Sequence, residues 1–83
     1  MAVYIHPHAL DRMSERGATG DEVTATVENG ERFAAKFGRV GFRHNFTFGG
    51  HWNGRPYGTK QVEAYAVEET DGWLVITVIV KFF

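Results

Sequence analysis

Trp73-Leu74-Val75-Ile76-Thr77-Val78-Ile79-Val80-Lys81-Phe82 closes the chain and decides the fold class. Its β-branched run, Val75 through Val80, has no polar alternation beyond Thr77 and reads as a strand apolar on both faces. Such a strand belongs inside a sheet, with something packed over it. At eight residues, the apolar core from Trp73 to Val80 is far shorter than the roughly 20 that a helix needs to span a bilayer.

Working back from that strand, Thr70-Asp71-Gly72 is a turn, and Lys60 to Glu68 is a second strand. Gly49 to Gly58 carries four glycines and Pro56, which predicts a long mobile loop. Before it, Phe42, His44, Phe46 and Phe48 alternate with Arg43, Asn45 and Thr47, the period of a half-buried strand. Glu31 to Phe37 reads as a weaker strand. Upstream of Gly30 the period becomes helical. His6-Pro7 opens one helix, and Gly17 stops it as a left-handed C-terminal residue. Thr19 and Glu22 have capping-box spacing for a second helix that ends at Asn29-Gly30. Val3 to Ile5 fits a short strand or an ordered arm.

The order α-α-β-β-β-β predicts an α+β domain over residues 1–83. An N-terminal helical hairpin packs on a four-stranded, mainly antiparallel sheet. Leu10, Met13, Val23, Val27, Ile76 and Val78 form the expected core. Composition agrees: 43% hydrophobic and 14% aromatic residues make a globular chain. The absence of cysteine excludes disulfides, thiolate metal sites and cysteine nucleophiles. It suits a reducing cytoplasm, and without a basic-then-apolar opening stretch secretion is not expected.

Charge is segregated. The formal net charge is −1, yet Arg32, Lys36, Arg39, Arg43, Arg55 and Lys60 fall in a span that contains no acid. A near-neutral chain can therefore present a positive face. On the first helix, His8, Arg12 and Arg16 recur at intervals of four and share one face. Two guanidiniums can clamp a phosphate, and a nearby imidazole can exchange protons near neutral pH. The same residues also fit a solvated helix face paired with Asp11 and Glu15.

The pattern His8-Ala9-x-x-Arg12-Met13-x-Glu15-Arg16-Gly17, followed by Thr19 and the Asp21-Glu22-Val23 helix, resembles the opening of the domain of unknown function 4258 family. Glu63 through Val80 is similar to that family's close. The resemblance implies the RelE/ParE toxin-like fold, two helices and then a curved antiparallel sheet. It also implies a ribonuclease-like or toxin-derived domain with RNA and an antitoxin-like protein as partners. His8, Arg12, Glu15 and Arg16 occupy motif positions. Two departures stand out: ribonucleases of that type are usually strongly basic, and Arg39 to Tyr57 has no counterpart in the pattern.

In metal-independent RNA cleavage a 2′-hydroxyl attacks the adjacent phosphate, so a base, a cation and an acid must converge. His8 is the candidate for proton transfer and Arg12 or Arg16 for the phosphate. Arg43 and Tyr65 are further candidates from the exposed sheet face. Arg39, Arg43, Trp52, Arg55 and Lys60, interleaved with Phe42 and Tyr57, are candidates for nucleic-acid contact through phosphates and base stacking. No metal or other cofactor is expected, since His6, His8, His44 and His51 have no carboxylate at ligand spacing. The competing expectation is a non-catalytic module that binds a protein, or itself as a homodimer, through the glycine-rich Trp52 loop.

Overall fold

Helix α1 (Pro7–Arg16) begins where Pro7 supplies the first helical residue and the His6 ring accepts a bond from the His8 amide at 3.0 Å. It ends at Gly17, whose φ of 79° lies in the left-handed region open to glycine. Two residues later Thr19 caps helix α2 (Gly20–Asn29). The Glu22 amide donates to the Thr19 hydroxyl at 3.1 Å, and the Thr19 amide donates to the Glu22 carboxylate at 2.9 Å. Both helices follow the capping chemistry read from the sequence. The computed structural model describes residues 1–83.

Five strands complete the chain: β1 (Ala2–Ile5), β2 (Glu31–Ala34), β3 (Val40–Trp52), β4 (Arg55–Glu69) and β5 (Gly72–Phe82). They form one mixed sheet in the order β1-β5-β4-β3-β2. The expected four-stranded sheet is thus corrected to five. β1 runs parallel to β5, pairing Ala2–Ile5 with Gly72–Val75, and every other pairing is antiparallel. Val3 to Ile5, which fits a short strand or an ordered arm, lies in that edge strand, and four residues carry too little periodicity to decide between the two. β5 is interior only along that first third, and β4 occupies the middle of the sheet.

The segment expected to be a loop, Gly49 to Gly58, is almost entirely strand. β3 and β4 continue to a two-residue turn at Asn53-Gly54, with φ values of 51° and 79°. Positive φ at both central residues is the tight hairpin geometry that matches strand twist, and Asn-Gly is its preferred pair. A bulge between Thr47 and Gly50, with Gly49 at φ 59°, absorbs one extra residue. Pro56 lies where β4 has outrun β5, so its missing N–H interrupts no pairing.

Both helices cover one face of the sheet, α1 over β5 and α2 over β4 and β3. Ala9, Met13, Val23 and Val27 meet Phe42, Val62, Ala64, Ala66, Trp73, Val75 and Val78 in the core. Phe42 and Trp73 pack edge to face at 5.1 Å. Two expected core residues are displaced. Leu10 is half exposed, because α1 turns Ala9 and Met13 inward and leaves Leu10 about 100° round the helix. Ile76 is only partly buried: it is the extra residue of a second bulge, opposite the Tyr65–Ala66 step. The inward face therefore passes from Trp73 and Val75 to Val78 and Val80. No helix is long and apolar enough to cross a membrane.

Candidate nucleic-acid interface

Strand alternation assigns the candidate residues to faces. Arg43 pairs with Glu63, and Gly41 with Tyr65, in the register opposite to buried Phe42, Val62 and Ala64. Arg43 and Tyr65 therefore rise from the sheet face that no helix covers. His8, Arg12 and Arg16 sit on α1, across the sheet from them. The structure does not bring the five candidate catalytic residues together.

Both α1 arginines are already engaged. Arg12 bonds Glu15 at 2.8 Å, one turn along the helix. Arg16 donates to the Val78 carbonyl at 2.6 Å, on the side of β5 that β1 no longer covers. It works as a tie between helix and sheet edge, satisfying a backbone acceptor. His8 is exposed.

On the uncovered face, Glu63 is 3% exposed. It accepts from Arg43 Nε at 2.7 Å and from the Tyr65 hydroxyl at 3.3 Å. Arg43 also reaches Glu31 at 3.5 Å and lies over the Phe33 ring at 4.5 Å. The bond to Glu63, aided by the nearby carboxylates, raises the Arg43 pKa above its ordinary value. Burial raises that of Tyr65, and the Glu63 charge adds to it. A guanidinium flanked by two carboxylates has little attraction left for phosphate.

Lys60 is buried on the helix-covered face and bonds Glu22 at 2.7 Å. Its ammonium lies 5.8 Å and 5.9 Å from the Phe48 and Phe82 ring centres. Burial pushes the Glu22 carboxyl up, but the Lys60 ammonium and the Thr19 bonds outweigh it and hold the pKa below its ordinary value. The sequence pattern did not show the three carboxylate partners of Arg43 and Lys60: Glu31, Glu63 and Glu22. The Asn53-Gly54 turn was the available signal: counted back through the Gly49 bulge, it sets Arg43 opposite Glu63.

Trp52 is not a free loop residue. Its ring stacks on Phe82 with centres 5.0 Å apart, and its edge lies against Gly17. Phe48 and Tyr57 surround Phe82 at 5.0 Å and 5.7 Å. Trp52 and Arg55 are direct partners across the turn, and Gly50 pairs with Tyr57. Trp52, Arg55 and Tyr57 thus share one face of the hairpin, with Arg55 exposed and both rings half buried. Arg39 lies at the other end of the sheet, its guanidinium 6.0 Å from the Phe37 ring centre.

Residues 5–80 match the family described as Domain of unknown function (DUF4258). The chain belongs to that family. The match covers both helices and reaches through β5 to Val80, so the Arg39–Tyr57 segment lies inside the family domain. No curated protein and no solved structure matches the chain. Within this DUF4258 domain the motif residues His8, Arg12, Glu15 and Arg16 divide into an exposed imidazole, an ion pair on the helix and a helix-to-strand tie.

Proposed function

We propose that this domain is a RelE/ParE-like module that engages single-stranded RNA, binding it without cleaving it. Two helices followed by an antiparallel run of strands agree with that fold. The observation that supports the RNA reading most directly is the outer hairpin. From Asn45 to Val62 the chain has no acid, and its tip sets the unpaired, exposed Arg55 beside the half-buried rings of Trp52 and Tyr57. A cation with aromatic neighbours suits a phosphate and its adjoining base. Exposed Lys81 and His51 extend the same end of the molecule. Cleavage is left out because no single phosphate meets both the α1 residues and the Arg43–Tyr65 pair, which lie on opposite faces.

Fluorescence anisotropy with a labelled single-stranded RNA tests this reading. Affinity should fall with salt at a shallow log–log slope of about −1 to −2, the counterion release of two or three phosphates. Arg55→Glu should weaken binding about tenfold or more, since it places a like charge where a phosphate contact stood. His8→Ala should change neither binding nor the integrity of the RNA. Absence of binding at low salt, or binding indifferent to Arg55→Glu, would overturn the proposal.

A further inference from the structure

The end of the sheet opposite Trp52 carries a second unassigned surface. The turn between β2 and β3 holds Phe37 86% exposed at a φ of 62°, a conformation that residues with a Cβ seldom adopt. Beside it opens a cleft of about 320 Å³ lined by Phe33, Tyr65, Ala35, Lys36, Arg39 and Phe37 itself. The Phe33 and Tyr65 rings meet edge to face at 5.9 Å. Lys36 and Arg39 have no acidic partner.

Register brings a complementary charge to the same end. Ala34, Val40, Ala66 and Val75 lie in one row across the sheet, so the β2–β3 and β4–β5 turns leave by the same end, the second hairpin running three residue pairs further. The second of these turns is flanked by Glu68 and Glu69, both exposed and free of cationic partners. One end of the molecule therefore presents an apolar projection, an apolar cleft, a basic turn and an acidic turn.

These features are self-complementary. In a two-fold contact, residue i of one chain meets residue j of the other and j meets i. Projection then meets cleft twice, and basic turn meets acidic turn twice. We propose that a second copy of this chain docks here, each Phe37 packing into the partner's cleft against Phe33, Tyr65 and the partner's Phe37. A nucleic acid gains less from this end, because the acidic turn offsets the field of Lys36 and Arg39. The contact uses one end of a small domain, so it falls below the area of about 800 Å² per partner typical of stable complexes. It is therefore a weak, concentration-dependent and salt-sensitive association.

Sedimentation velocity on the whole chain at increasing concentration tests the proposal. The wild type should move from monomer towards dimer, and added salt should reverse the shift. Phe37→Gly keeps a residue suited to the left-handed turn but removes the projection. It should weaken association about thirtyfold or more, as loss of a central anchor does. Two charge-reversed chains sharpen the result: Lys36→Glu with Arg39→Glu, and Glu68→Lys with Glu69→Lys. Each alone should be monomeric, while their mixture should form a one-to-one heterodimer. A wild type monomeric at every concentration, or a dimer untouched by Phe37→Gly, would overturn the inference. A wild type that stays monomeric but binds RNA, and loses that binding on Lys36→Glu with Arg39→Glu, would also overturn it and make this end a nucleic-acid contact. Arg55→Glu should leave dimerisation unchanged, so failure here is separable from failure of the RNA reading.

Discussion

The two ends of this sheet contain similar residues and use them in opposite ways. At one end Phe82 is the hub of a ring cluster made by Phe48, Trp52 and Tyr57, and the buried Lys60 is neutralised by Glu22. At the other, Phe37 stands in solvent and Lys36 and Arg39 have no carboxylate partner. The helices account for the difference. The α1–α2 connection lies over the hairpin, where Trp52 abuts Gly17, so rings there find intramolecular partners. Phe33 and Tyr65 open their cleft on the face that neither helix covers. Rings and cations in the sequence are therefore interchangeable in kind but not in consequence.

The contrast breaks most visibly at Phe82. Phe82→Ala should cost about 3 kcal/mol in urea unfolding, because it removes the ring on which three others rest. A loss under about 1 kcal/mol would mean the cluster adds little beyond propensity. Next comes the ion pair. Lys60→Met should cost about 2 kcal/mol near neutral pH, below the usual penalty for breaking a buried pair because Glu22 keeps some contact with water. The Glu22 carboxyl has a lower pKa folded than unfolded, so its stabilisation holds above the ordinary carboxylate pKa and disappears as pH falls through the folded value. A pH series of melting curves should show an acid-side decline that is shallower in Glu22→Gln. An equal decline in both proteins would assign it to other carboxylates.

At the open end the sign reverses. Phe37→Gly should raise stability by about 1 kcal/mol, since glycine tolerates the left-handed turn and Phe37 makes few contacts to lose. This is measured at a concentration where the chain is monomeric. A destabilised Phe37→Gly would show that the ring packs after all. Arg39→Ala, the smallest effect, should stay within about 0.5 kcal/mol of wild type, as a surface cation without a carboxylate partner does.

Legibility followed the range of the interactions. Both helix starts and stops were readable, because Pro7, Gly17, Thr19 and Glu22 act on neighbours within four residues. The Phe42 strand was readable from its alternation. The hairpin is masked by its glycine content, although the Asn53-Gly54 pair has its own backbone requirement. β1 was only half legible, since a four-residue strand is defined by its neighbour β5. Leu10 and Ile76 failed for different reasons: one needed the direction of the helix stripe, the other a bulge. At the candidate site, Arg12, Arg16, Arg43 and Lys60 were identified by type and spacing. The partners that occupy three of them, Glu15 aside, lie 12 to 62 positions away along the chain.

The sequence by itself determined the α+β class, the helical hairpin, the interior character of β5's start and the family. Each is carried by local capping, periodicity or an ordered residue pattern. Only the tertiary structure decided the fifth strand, the division of the α1 residues from Arg43 and Tyr65 across the sheet, and which cations are left without a carboxylate partner. Those outcomes depend on pairing register. A shift of one residue, such as either bulge introduces, moves a side chain from one face to the other, and no local pattern records it.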